Sequence, residues 1–185
     1  MKTIPALLLS LFALAPMPSS ADPLADWDKV HAVFSHPRCA NCHTADEHPR
    51  WVDARTGAAK FHGMNVQRGT DGSGFGNVGL RCTTCHGEAN GARKGMPPGA
   101  PNWHLAPVEM VWFGQTSPQI CAQIKDPARN GERTLAEIAD HVLRDPLVAW
   151  GWTPGEGRQP APGSAQETFD ALTRWAAAGA PCPAQ

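Results

Sequence analysis

The sequence predicts a mostly α-helical fold in which short helices are joined by long Gly/Pro loops. Three observations carry that expectation. Apolar residues recur at helical spacing in several short windows behind capping residues, strand-type alternation is almost absent, and 18 Gly with 18 Pro make up about one in five of the 185 residues. Average chains hold roughly 12% Gly plus Pro, and disorder is expected only from roughly 25–30%. The composition is therefore that of a folded, turn-rich chain. Its length suits one domain. A formal charge of −1 leaves no electrostatic case for binding nucleic acid. Seven Trp and no Tyr point to large apolar plates in the interior.

Residues 1–21 read as an export leader. Lys2 supplies a positive start, Ile4 to Ala15 an apolar stretch, and Ser19-Ser20-Ala21 a small-residue cleavage site. The apolar run is shorter than the ~20 residues a membrane span needs, and no later segment is more apolar. The expected mature protein is one domain, residues 22–185, soluble and periplasmic. Asp22 caps a first helix with Pro23 at its opening position, and Leu24, Trp27, Val30, His31 and Phe34 form its apolar side. His36-Pro37 ends it. Residues 57–79 form a Gly-rich loop and residues 95–107 a Pro-rich one. Ser117-Pro118 opens a helix through Ile124. Thr134 with Glu137 boxes the start of another that ends near Arg144. Ser164 with Glu167 starts the last, with Phe169, Leu172 and Ala176 facing inward and Gly179 as its left-handed stop. The loop from Trp150 to Gly163 is long enough to be a packed lid or a docking surface.

Two motifs carry the chemistry: Cys39-Ala40-Asn41-Cys42-His43 and Cys82-Thr83-Thr84-Cys85-His86. C-x-x-C-H in an exported chain reads as c-type haem attachment. Two thiols three residues apart on a helical turn each reach one edge of a porphyrin as thioethers. The following imidazole then lies beneath the ring as the iron's proximal ligand. Zinc sites of paired C-x-x-C place about 15–20 residues between the pairs, whereas 39 separate Cys42 from Cys82. A thioredoxin-like dithiol would need a βαβ context, which is missing. The expectation is a cytochrome c-like fold, short helices and Gly/Pro loops wrapped around two covalently attached haems. The cofactors would supply core the chain lacks, so the haem-free chain should be largely unfolded.

Sixth ligands are less legible. His62 lies 19 residues after His43, and His104 lies 18 after His86, both beside loop-forming Gly or Pro. This pseudo-repeat favours bis-histidine pairs His43/His62 and His86/His104. Histidine–methionine ligation is the rival, through Met64, Met96 in Gly95-Met96-Pro97, or Met110, and would raise the reduction potential. His141 falls off the apolar stripe of its helix and is expected on a solvated side. His31 reads as a core histidine, His36 as a group near a haem edge, and His48 as surface. Cys121 and Cys182 remain over, and in an oxidising compartment a disulfide pinning the C-terminal tail is the plain expectation. The sharper alternative is Cys121 as a haem ligand of a thiosulfate-oxidising enzyme.

Four stretches add a family resemblance: His62 to Gly69 (H-G-M-N-V-Q-R-G), Ala100 to Pro107 (A-P-N-W-H-L-A-P), Cys121 to Gly131 (C-A-Q-I-K-D-P-A-R-N-G), and Asp145 to Gly163. With the two haem motifs, they resemble bacterial exported cytochromes labelled isoquinoline 1-oxidoreductase subunit. The resemblance implies partnership with molybdenum hydroxylases that oxidise N-heterocycles or aldehydes, the cytochrome taking the electrons away. The chain has no C-x₄-C-x₂-C iron–sulfur spacing and is too short to hold a molybdopterin domain as well. The expected function is therefore electron carriage between redox partners and the respiratory chain. A dihaem peroxidase or thiosulfate-oxidising enzyme with one open or labile iron is the alternative, and a CO or NO sensor a third. Loss of Lys2 with the leader lowers the formal charge of −1 by one unit. Haem propionates would make the surface more acidic still, suited to a basic docking patch.

Overall fold

The computed structural model describes residues 22–52, 56–155 and 157–184; the expected leader, residues 1–21, lies outside them. The helix signals in the sequence act where they stand. Asp22 accepts a hydrogen bond from the Leu24 N–H at 2.9 Å and caps α1 (Pro23–Phe34). α2 (Pro37–Ala40) is a single turn. α3 (Ser117–Ile124) opens on a capping box of Thr116 with Gln119, and α4 (Pro127–Asn130) follows with Asp126 as cap. α5 (Leu135–Arg144) carries the Thr134–Glu137 box, and Asp145 caps the short α6 (Pro146–Ala149). α7 (Ala165–Ala177) ends in a left-handed turn at Gly179. There the Gly179 and Ala180 N–H groups return to the carbonyls of Ala176 and Trp175 at 3.1 and 2.9 Å.

Helix is the main regular structure and strand is scarce. α7 packs between α1 and α5, and α3 lies against α1. Trp27, Val30, Phe34, Ile120, Ile124, Val142, Leu172 and Trp175 fill the core. Burying a side chain of this size stabilises by about 1.5–3 kcal/mol. Trp27 and Trp175 meet at 5.0 Å between ring centroids, and each indole N–H is satisfied, by Ser117 Oγ and by the Pro181 carbonyl. Two expected faces are displaced. Leu24 is 38% exposed and Asp26 is buried in its stead. On α7 the inward stripe is Thr168, Ala171, Leu172 and Trp175, with Phe169 and Ala176 at its edge. Local hydrogen bonding makes this affordable: the Thr168 hydroxyl donates to the Ser164 carbonyl at 2.8 Å. Arg174 grips Asp26 with both arms, at 2.7 and 2.9 Å.

The Gly-rich segment is not pure loop. β1 (Arg50–Val52) pairs antiparallel with β2 (Ala59–Phe61), and β3 (Gly76–Asn77) with β4 (Leu80–Arg81). Two or three residues are too few to show alternation in a sequence. Gly74 holds this segment against the Pro-rich one. Its carbonyl accepts from the Leu105 N–H at 3.0 Å, and a Cβ there would stand 2.3 Å from the Leu105 carbonyl oxygen. Among the described residues no helix is long and apolar enough to cross a membrane.

Cys121 and Cys182 are joined as a disulfide across a sequence separation of 61. Replacing both with Ser should cost about 4 kcal/mol in the chain-entropy account, read as a lower denaturant midpoint. Arg174→Met should cost about 2 kcal/mol at neutral pH by removing both guanidinium hydrogen bonds from the buried Asp26 carboxylate and leaving it only the exposed Lys29 at 3.6 Å. The Arg174 hydrogen bonds hold the Asp26 carboxyl below its usual range. The pair's contribution is therefore present above the ordinary carboxylate pKa and lost as pH falls through the lowered one. Denaturation at pH 7 and at pH 3 should show the two proteins converging in acid.

Candidate paired-cleft site

Both C-x-x-C-H motifs lie in tight helical turns. In the first, α2 runs into the Cys42 and His43 N–H groups, which return to the Cys39 and Ala40 carbonyls. In the second, Cys82–Thr84 is a 3₁₀ turn, and the Cys85 and His86 N–H groups both return to the Cys82 carbonyl. All four cysteines are free thiols. Burial pushes the Cys39 thiol up to about 12 and the Cys42 thiol up to about 11. His36, expected near a haem edge, instead turns its Nδ1 to the Arg38 N–H at 3.2 Å as the cap of α2, and lines neither cleft described next.

Each motif opens on its own cleft. The first has about 1170 Å³ of space free of protein atoms, part of it open to solvent. Cys39, Cys42 and His43 line it together with Ile138, His141 and Val142 of α5 and the α6 cap Asp145, and Arg38, Arg129 and Arg133 supply cations. The second, about 510 Å³, holds Cys82, Cys85, His86 and His62 with Arg81. Cys42, Trp103 and His104 line both clefts and so form the wall between them.

Five imidazoles surround these clefts, and each has its Nδ1 directed at an oxygen. His43 faces the Met110 carbonyl at 3.1 Å, His86 the Pro98 carbonyl at 2.7 Å, His62 the Gly63 carbonyl at 2.9 Å, and His104 the Asn102 carbonyl. His141 Nδ1 stands 3.5 Å from the Asp145 carboxylate. An imidazole that donates through Nδ1 leaves a lone pair on Nε2, the arrangement that second-shell oxygens impose on metal-bound histidine. Burial pushes His43 down to about 3 and lowers His86 and His141. These three rings are neutral at pH 7 and need lose no proton to serve as ligands.

Flat side chains fix the two motif histidines. His43 lies parallel to Trp112 at 3.5 Å, and Trp112 parallel to Phe34 at 4.2 Å. His86 lies parallel to Trp103 at 4.4 Å, and Trp103 meets Trp150 edge-on at 4.8 Å. Trp150 is tied by its indole N–H to Asn90 at 3.0 Å and lies under the Arg38 guanidinium. Arg158 turns back to the Met96 and Pro154 carbonyls. Of the 150–163 segment, Trp150 and Trp152 line the first cleft.

The ligand candidates named from the sequence divide between the two clefts. His62 lies beside His86, with ring centroids 6.0 Å apart, and shares no cleft with His43. His104 does reach the second cleft, but as part of the shared wall. His141 is half-exposed, as expected of a solvated side, and also lines the first cleft with Ile138 and Val142 of α5 and with Asp145 just beyond it. The apolar arc of α5 is wide because it serves both core and cleft, and Asp145 four residues on was the signal available. Met96 lines neither cleft, Met64 is 76% exposed on the rim of the second, and Met110 is buried where its carbonyl holds His43. His48, expected at the surface, is half-buried with Nε2 on Asn65 at 3.1 Å.

Among the described residues, no three His, Cys, Asp or Glu side chains converge as an all-protein metal site requires. A porphyrin iron needs only two axial side chains. Cations suited to propionates line both clefts: Arg38, Arg129 and Arg133 the first and Arg81 the second. The residues present therefore fit a haem at each motif.

No family model, curated protein or solved structure matches the chain. Trp112→Ala should cost about 3 kcal/mol, because it removes the plate between His43 and Phe34; chemical denaturation of the holoprotein measures this.

Proposed function

We propose that this chain is a periplasmic electron carrier with two c-type haems, taking electrons from a molybdenum hydroxylase or another dehydrogenase and passing them toward the respiratory chain. The observation that carries the reading is that each C-x-x-C-H histidine faces its own cleft with Nδ1 held by a backbone carbonyl. A bound haem supplies an iron that changes between ferric and ferrous states by single electrons.

The chain's own residues would do the rest. Cys39 with Cys42, and Cys82 with Cys85, would hold the two haems covalently as thioethers. His43 and His86 would hold the irons, with the Met110 and Pro98 carbonyls fixing the orientation of the imidazoles. Trp103, Trp112 and Trp150 exclude water from the clefts. Arg38, Arg129 and Arg133 in the first cleft and Arg81 in the second suit the propionate carboxylates. The Cys121–Cys182 disulfide removes the thiol that a thiosulfate-oxidising mechanism would use as a ligand. The family resemblance supports the hydroxylase as donor.

The test is the protein expressed with its leader in a host that matures c-type cytochromes. Two covalent haems per chain by intact mass, ferric low-spin EPR signals from both, and no uptake of CO by the ferrous form are expected. A chain that leaves the host without covalent haem overturns the cytochrome. A high-spin haem that turns over peroxide moves the protein to the enzyme class.

A further inference from the structure

Resting on the dihaem reading, the geometry points to His62 as the second axial ligand of the His86 iron and His141 as that of the His43 iron, with His104 serving as the wall between the clefts and ligating neither. Two imidazoles on one metal, with bonds of about 2.0–2.1 Å and centroids about 1.1 Å behind the ligating nitrogens, stand about 6.3 Å apart. His62 and His86 stand 6.0 Å apart, lining one cleft, each with Nδ1 on a carbonyl. Their rings are tilted by 59°, a twist that rotation about the metal axis permits. His62 immediately precedes the turn Gly63–Asn65, where Met64 and Asn65 have φ of 62° and 50°. That turn returns the Gly63 carbonyl to the ring.

For the first cleft two histidines compete. His141 lines that cleft alone, rides on the regular helix α5, and has the Asp145 carboxylate at its Nδ1. α5 is a different element from the turn that carries Cys39, Cys42 and His43, so His141 enters the lining of this cleft from a separate part of the chain. His104 lines both clefts together with Cys42. A thioether cysteine joins the ring at its edge, so the wall that contains Cys42 borders the ring edge. An axial ligand must instead come over the face. His104 is accordingly a positioning residue, its ring stacked on Phe75 at 4.7 Å and its Nδ1 on the Asn102 carbonyl. Asp145 is likewise a positioning residue, acting through His141.

The experiment uses the holoprotein and first counts covalent haems by intact mass; fewer than two in the wild type overturns the dihaem reading, whatever the ligands. With two present, His62→Gly and His141→Gly should each turn one low-spin ferric haem high-spin and bind one equivalent of CO when reduced. Added imidazole should restore the low-spin EPR signal of each, which separates ligand loss from misfolding. His104→Ala should leave both haems low-spin. Pairing is read in a Cys82→Ala/Cys85→Ala chain that keeps only the first haem. There His141→Gly should give the high-spin signal and His62→Gly should not. Low-spin haems in both glycine variants, a high-spin haem in His104→Ala, or the reverse pattern in the single-haem chain each overturn the assignment.

Discussion

An imidazole has two nitrogens, and in the histidines around the clefts of this fold one of them is committed to an oxygen of the protein itself. The carbonyls of Met110, Pro98, Gly63 and Asn102 and the carboxylate of Asp145 face Nδ1 of the five histidines around the clefts. That commitment frees Nε2 and sets the plane of each ring. It also dictates loop geometry, since the carbonyl must be brought to the ring by backbone far away in sequence: Met110 to His43, Pro98 to His86. The Gly- and Pro-rich segments meet this requirement by packing on one another, as Gly74 does against Leu105.

The helices serve the clefts as much as the core. Phe34 of α1, Ile124 of α3 and Val142 of α5 belong to the buried core and also line the first cleft. The three-helix packing of α1, α5 and α7 is thus the floor on which the site stands. The disulfide ties the tail to α3, and the pair of buried Asp26 with exposed Arg174 joins α1 to α7. Breaking either contact loosens that floor and leaves no group in the cleft itself altered.

Tryptophan has two distinct uses here. Trp27 and Trp175 are core plates, wholly buried with their N–H groups paired. Trp103, Trp112 and Trp150 line the first cleft, and two of them hold a motif histidine by parallel contact. In the proposed reading the second group excludes water from the irons while giving the chain a wall common to both haems. Trp103 and His104 occupy that wall, which is therefore the shortest through-protein route from one cleft to the other.

Much of this protein is legible in its residues alone. Caps and stops act within one turn, so Asp22, Thr134 with Glu137, and Gly179 declare their helix ends without help from the rest of the chain. The two C-x-x-C-H motifs are equally local, and the Cys121–Cys182 bond follows once four cysteines are assigned to them. Tertiary structure alone decided which histidine meets which. His62 follows His43 in sequence yet stands by His86, because the Gly-rich segment folds back on the second motif. His141 is half-exposed and also borders the first cleft, which a helical stripe of apolar residues does not reveal, because a helix shared between a core and a cleft presents a wider face than that count. Spacing fixes contacts over a few residues; across a cleft, proximity belongs to the packing of elements far apart in the chain.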